Sequence, residues 1–199
     1  MINISNISNQ LPYVKFVKFY NEALAAKQSN IEAVCISSFD YKKKESNSRF
    51  VNLKYIIDDE WTFFSNYQGP KSDEFKQYPK ISAAFFWNKT NTQIRLKAEI
   101  YKSSIEFSND HFKNREKGKN ILAISSKQSK QIDTYEDFLL IFDKASREID
   151  NPKTRPNYWG GYSFKPYYFE FWQGHNHRIN KREACILKDN DWESFFLQP

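Results

Sequence analysis

The stretch AVCISSFDYKKKESNSRFVNLKYIIDDEWTFFSN, residues 33–66, decides the fold class. Three runs rich in β-branched and aromatic residues, AVCISSF, RFVNLKYII and EWTFFSN, are separated by the polar run DYKKKESNS and by Asp58-Asp59. Apolar runs of this length bounded by polar clusters read as strands joined by turns, so two successive hairpins are predicted. The lysines at 42–44 fall at a turn tip, where a charge run is simply solvated.

Working outward, Leu11 to Lys27 places Val14, Val17, Tyr20, Ala23 and Leu24 at helical spacing with lysines between them, and reads as an amphipathic helix. Beyond NYQGP, a short helix is predicted from about Lys71 to Tyr78, closed by Pro79, followed by strands ISAAFFW and TQIRLKAEIYKS. Ser108 reads as the N-cap of a helix running to about Lys117, with Asp110 in its first turn, and a second helix runs from Asp133 to about Ile149. The Pro/Gly-rich stretch NPKTRPNYWGGY then leads as a connection into strands YYFEFWQ, EACILK and WESFFL. Six to eight strands with interposed helices make this a mostly β, α+β chain whose expected architecture is an antiparallel barrel with added helices.

The 199 residues suit one domain, with residues 1–30 as an N-terminal helical segment and residues 155–199 as a C-terminal group of strands. Aromatic residues make up 18% of the chain, which supplies large buried areas. The net charge of +6 suits phosphorylated ligands, and its scatter along the chain argues against nucleic acid. Cys35 and Cys185 stand far apart without ligand spacing, so neither a metal site nor a disulfide is expected. The start MINISNISNQ lacks a basic leader segment, and no run is long and apolar enough to span a membrane. A cytoplasmic, reduced protein is the expectation.

Several separated segments join β structure or helix starts to polar or cationic groups. In SRFVNLK, strand alternation puts Arg49, Val51 and Leu53 on one face and Phe50, Asn52 and Lys54 on the other, one cation on each. Gly69-Pro70 opens a helix whose first turn carries Lys71, and a helix N-terminus with a lysine is a phosphate site. Gln128 and Ser129 precede a predicted helix, and Gln93 opens a strand. FEFWQG, residues 169–174, is followed by Arg178 and Arg182.

In this order, with WGGY at 159–162, these segments resemble the pyridoxamine (pyridoxine) 5′-phosphate oxidase family over residues 33–199. The resemblance implies an FMN-binding split β-barrel that forms a homodimer, with FMN bound at the interface and the C-terminal strands serving dimerisation and substrate binding. Carried over by motif position, the FMN contacts are Arg49, Phe50, Val51, Leu53, Lys54, Phe64, Ser65, Lys71, Gln93, Gln128, Ser129, Trp172 and Arg182. The implied substrate positions read Lys54, His111, Arg115, Lys119, Arg178 and Asn180, with Arg178 in the catalytic position and with His111 and Lys119 standing where the family has a tyrosine and a serine. The family's Arg-x-His reads Arg178-Ile179-Asn180, its arginine before Lys71 is Pro70, and its substrate-covering N-terminal segment has no counterpart in residues 1–20. The implied reaction is oxidation of pyridoxamine or pyridoxine 5′-phosphate to pyridoxal 5′-phosphate with dioxygen as acceptor. The alternatives are a same-fold oxidase of another ring substrate, as in phenazine biosynthesis, and a flavin- or pyridoxal-phosphate-binding protein without turnover.

Overall fold

A computed structural model describes all 199 residues. Ten strands and five helices follow one another as β1 (Asn3–Ser5), α1 (Leu11–Ala25), β2 (Ala33–Asp40), β3 (Glu45–Asn52), β4 (Tyr55–Ile57), β5 (Glu60–Asn66), α2 (Pro70–Gln77), β6 (Lys80–Trp87), β7 (Thr92–Lys102), α3 (Ile105–Lys113), α4 (Lys117–Ser125), α5 (Tyr135–Glu148), β8 (Trp159–Gln173), β9 (Lys181–Lys188) and β10 (Asp191–Leu197). The strands form one sheet in the order β1-β4-β5-β8-β7-β6-β2-β3, with β9 and β10 continuing from the outer half of β8. All pairings are antiparallel except β1 with β4.

The hydrogen-bonded path ends at β3 on one side and at β1 on the other, so the barrel is split. The chain itself bridges the gap. After β3, the Leu53 N–H donates to Glu32 O and the Lys54 N–H to Thr62 O, which carries the backbone from the β2 side to β5 in two residues. The split between β3 and β5 therefore becomes a cleft with a strand on either lip.

The interior is aromatic. Phe16, Trp61, Phe85, Trp87, Phe164 and Phe169 are buried together, with the Phe16 and Trp61 rings 4.4 Å apart at 61°. Edge-to-face pairs of this kind add about 0.5–1.5 kcal/mol beyond area burial. The Trp61 indole N–H has no hydrogen-bond partner in this interior.

Several local features differ from the sequence reading, each for a physical reason. Helix α1 forms where expected, but it buries Tyr13, Phe16, Phe19, Tyr20 and Ala23 and leaves Val14 and Leu24 exposed. The stripe with the larger rings removes more apolar area from water and takes the core. Ten strands replace the expected six to eight, because the three-residue β1 is too short to show alternation and the expected single strand RFVNLKYII breaks into β3 and β4 at Leu53-Lys54, where the backbone bonds to Glu32 and Thr62. ESNS, expected in the turn, pairs with β2 as the first half of β3. Helix α3 begins earlier than predicted: Ser104 is the N-cap, accepting from Phe107 N–H at 3.1 Å, while Ser108 is buried inside the helix. There the Ser108 hydroxyl donates to Ser104 O and accepts from Gly161 N–H, pinning α3 to β8. WGGY belongs to β8 rather than to a loop, since a Cβ at Gly160 would overlap Tyr67 and one at Gly161 would overlap Ser103. The glycines serve close approach and not a turn.

Candidate functional site

Strand β3 turns its half-buried face, Asn47, Arg49 and Val51, into the split. Arg49 Nη2 donates to Glu74 Oε2 at 2.8 Å and Nη1 donates to the Ser38 hydroxyl; Ser38 in turn donates to Glu74, and Asn47 Nδ2 to Glu74 Oε1 at 3.1 Å. Glu74 is 3% exposed, so its carboxylate is a buried anchor that holds the guanidinium of Arg49 in one orientation.

Helix α2 enters the same cleft by its N-terminus. Gly69 is the N-cap without a side-chain cap, and Pro70, which has no N–H, opens the helix; Ser72 N–H bonds Gly69 O, so the first turn offers the cleft the Lys71 N–H and the positive dipole end. Lys71 is only 8% exposed yet makes no ion pair or hydrogen bond. Burial, and secondarily the neighbouring Arg49, holds its ammonium below the ordinary lysine range, against the opposing pull of Glu74. An unpartnered buried cation at a helix N-terminus is an anion site in the unliganded state.

Across the cleft lies a second cationic group. Lys54 follows β3, and the α3–α4 turn supplies Arg115, whose guanidinium lies 4.7 Å over the Trp159 ring and donates to Lys119 O at 2.7 Å. His111 stacks on Phe64 with centroids 3.7 Å apart and planes 8° apart, and its Nδ1 is 2.9 Å from the Tyr55 hydroxyl. Burial first, then Arg115 and Lys54, push the His111 pKa down to about 4, so the ring is neutral at physiological pH. Phe64 also stacks on Trp159 at 5.4 Å and 13°, completing an aromatic wall. Between the two cationic groups, Gln128 Oε1 accepts from the Ser65 hydroxyl and Asn66 N–H, both at 3.3 Å, which leaves its amide donors unengaged beside Ser129, a residue with φ 65°. The cleft so formed has a volume of about 840 Å³.

Arg49, Phe50, Val51, Lys54, Phe64, Ser65, Lys71, His111, Arg115, Lys119, Gln128 and Ser129 thus line one cleft. Lys54 was expected on the face opposite Arg49; because β3 ends at Asn52 and the chain turns, both cations reach the same space. Lys119 sits at the rim, ion-paired with Glu116 at 2.8 Å. Leu53 is fully buried in the core and can offer only backbone. Trp159, Glu74, Asn47 and Tyr55 were missed. Trp159 lay within the quoted WGGY motif, whereas Glu74 reads in sequence as an ordinary solvated helix carboxylate.

The remaining predicted residues lie elsewhere on the subunit. Gln93, Trp172 and Arg182 stand in register across β7, β8 and β9. Arg182 donates to Glu170 Oε1 at 2.9 Å and to Gln198 O, and Arg95 binds the other oxygen of the same buried carboxylate. Arg178 is exposed in the β8–β9 loop with φ 59°, and Asn180 Oδ1 accepts from His175 N–H at 3.0 Å. Gly161 pairs with the cleft residue Phe64, and Trp172 lies eleven positions further along β8. At about 3.3 Å per residue that is roughly 35 Å of strand, longer than one mononucleotide. One subunit therefore carries two separated half-sets of the predicted residues.

Comparison with known proteins decides what the cleft belongs to. Along 98% of its length the chain is 31% identical to pyridoxine/pyridoxamine 5′-phosphate oxidase 2 of Hydrogenovibrio crunogenus, spanning 91% of that protein. The chain belongs to the pyridoxine/pyridoxamine 5′-phosphate oxidase family. The oxidase of Aliarcobacter butzleri is 33% identical over 96% of the chain and 91% of its own length. Residues 159–199 match the model of the pyridoxine 5′-phosphate oxidase C-terminal dimerisation region, which here is β8 to β10, the elements carrying Trp172, Arg178, Asn180 and Arg182. In fold the chain is similar to PhzG from Burkholderia lata, solved with tetrahydrophenazine-1-carboxylic acid, at TM-score 0.87 and 18% identity over 98% of this chain and 100% of that one. It is also similar to a pyridoxamine 5′-phosphate oxidase-related FMN-binding protein from Nostoc punctiforme, at TM-score 0.77 and 10% identity over 96% and 99%. The split barrel of this family thus fits the sheet order and the position of the cleft. No helix is long and apolar enough to cross a membrane.

Proposed function

We propose that the chain is an FMN-dependent oxidase of pyridoxamine or pyridoxine 5′-phosphate, working as a homodimer in which β8 to β10 of one subunit complete the cleft of the other. One observation carries this reading: a single cleft holds two groups of cations, Arg49 with Lys71 and Lys54 with Arg115, and the stacked rings of Phe64, His111 and Trp159 line it beside the second. Two phosphate-bearing ligands with flat rings match that layout. The names of the curated relatives point the same way.

The donor set fits FMN. The α2 N-terminus, Lys71 and the Glu74-anchored Arg49 would hold its phosphate, and Gln128 and Ser65 would offer polar contacts to the ring edge. When bound, FMN supplies the redox chemistry, taking two electrons from the substrate carbon and passing them to dioxygen. The protein's own residues bind and orient. Lys54 from the β3–β4 link, His111 near the end of α3 and Arg115 just after it present donors suited to the terminal oxygens of a phosphate monoester. Phe64 and Trp159 keep water from one side of the site. Arg178, unpaired and exposed on its own subunit, would reach substrate in the partner's cleft. FMN contacts at Gln93, Trp172 and Arg182 would likewise arrive from the partner, which accounts for their distance from the cleft.

Oxygen uptake by FMN-loaded protein tests the reading. Turnover is expected with pyridoxamine or pyridoxine phosphate and not with the dephosphorylated compounds. A second reading, oxidation of another ring substrate, draws on the fact that the Asn180 side-chain oxygen is already engaged by its own loop. Fast turnover of a non-phosphorylated ring with none of the vitamin phosphates would replace the first reading by the second.

A further inference from the structure

Tyr55 does not line the cleft, and nothing in the sequence marks it. It stands behind His111, its hydroxyl 2.9 Å from His111 Nδ1 and its ring edge-on to His111, Phe64 and Phe107. His111 Nδ1 is the hydroxyl's sole hydrogen-bond partner. His111 Nε2 has no protein partner, and the ring borders the cleft with Lys54 and Arg115.

A neutral imidazole carries one N–H and one bare nitrogen, and the partner of one nitrogen sets the role of the other. If the phenol donates to Nδ1, the proton must sit on Nε2, and the cleft gains a donor. If Nδ1 carried the proton, Nε2 would face the cleft as a lone pair and repel an anionic oxygen. The phenol favours the first arrangement by geometry: His111 Nδ1 is its only partner, so accepting from an Nδ1–H would leave its own O–H without an acceptor in the protein. The groups facing His111 are Lys54 from the β3–β4 link, Tyr55 from β4, Phe64 from β5, Arg115 after α3 and Trp159 from β8. None is an acid that could hold a second proton on the ring.

We propose that Tyr55 is a positioning residue for the substrate anion: by donating to His111 Nδ1 it fixes the imidazole as a neutral Nε2–H donor between Lys54 and Arg115. The proposal rests on the reading of this cleft end as a phosphate site. It adds a residue that touches no ligand yet decides what His111 can do. The same hydrogen bond also locks the ring flat on Phe64, so recognition and orientation depend on one contact.

The test uses Tyr55→Phe, which keeps the ring that packs on Phe64 and Phe107 and removes only the hydroxyl. Two-bond 1H–15N spectra of ligand-free holoprotein near pH 7.5 report the His111 tautomer, with His111→Asn giving the assignment among the three histidines. Wild type is expected to show a bare Nδ1 and a protonated Nε2, and Tyr55→Phe to lose that preference. Pyridoxal 5′-phosphate affinity should fall by about three- to ten-fold in the variant, the range of one neutral hydrogen bond, while pyridoxal affinity and FMN content stay unchanged. A wild-type Nδ1–H tautomer, or an unaltered tautomer in Tyr55→Phe, overturns the proposal. Wild type that binds pyridoxal 5′-phosphate no more tightly than pyridoxal would instead defeat the phosphate reading, and the ligand-free spectra would still decide the role of Tyr55.

Discussion

Lys71, buried, and His111, half-buried, line one cleft, and in both the cost of burying a charge lowers the pKa from its ordinary value. For Lys71 the consequence is a conflict between stability and binding. Its unpaired ammonium is a desolvated charge in the unliganded protein, so Lys71→Met should raise the apoprotein melting temperature while weakening FMN by about ten-fold or more, the loss of one charge-assisted hydrogen bond. Calorimetry of apoprotein and flavin fluorescence titration read the two effects separately; a variant that loses stability and keeps FMN would contradict this role. For His111 the consequence is in pH. Its folded pKa of about 4 lies below the unfolded value near 6.5, so the unfolded chain binds more protons between these limits. Stability should be fully present above about pH 6.5 and fall as pH drops toward 4, by about 2 kcal/mol once the partial exposure of the ring is discounted. Urea midpoints at pH 7.5 and 4.5, compared between wild type and His111→Gln, measure it: the glutamine variant should show a shallower decline.

At the scale of elements, the strands and helices were legible where the pattern was long and regular. The two hairpins from residue 33 to 66 and the long β7 are of this kind. What sequence did not reveal was always a choice made by packing. Both stripes of α1 have helical period, and only the neighbouring Trp61 and Phe85 decide that Phe16 faces in. Ser104 and Ser108 are both acceptable caps, and the need to bond Gly161 N–H draws Ser108 inward. Gly160 and Gly161 read as loop punctuation because the side chains that exclude a Cβ there, Tyr67 and Ser103, come from distant elements. That reading has a direct check: Gly161→Ala should destabilise by about 1–3 kcal/mol, the usual range for overpacking a tight site, and Ser103→Gly should recover part of it. Recovery is the decisive outcome, since a loss caused by backbone conformation alone would be insensitive to residue 103.

Motif order grouped the cleft residues with Gln93, Trp172, Arg178, Asn180 and Arg182 as one set and implied a site at a dimer interface, but it could not say which of them one subunit brings together, because that depends on the path of β7 to β9. The structure separates Lys54, His111 and Arg115 from Arg178 and Asn180 along the length of β8. It also leaves Phe50, Phe86 and Phe196 at 74%, 60% and 70% exposure, apolar surface that a second copy would cover. If each site draws on both subunits, damage in the two half-sets should complement. Lys54→Ala and Arg178→Ala are suitable because neither side chain makes an ion pair or hydrogen bond within its own subunit, so folding should survive both. Each homodimer carries two damaged sites and should turn over poorly. A mixed dimer assembled from one copy of each has one site with both substitutions and one with neither. Statistical mixing makes half of the dimers mixed, so differently tagged, co-expressed subunits should recover about a quarter of wild-type oxygen uptake before purification, and about half in the doubly tagged fraction. Sites built within one subunit would give the opposite result, since every site in every dimer would then carry one substitution and mixing would restore nothing.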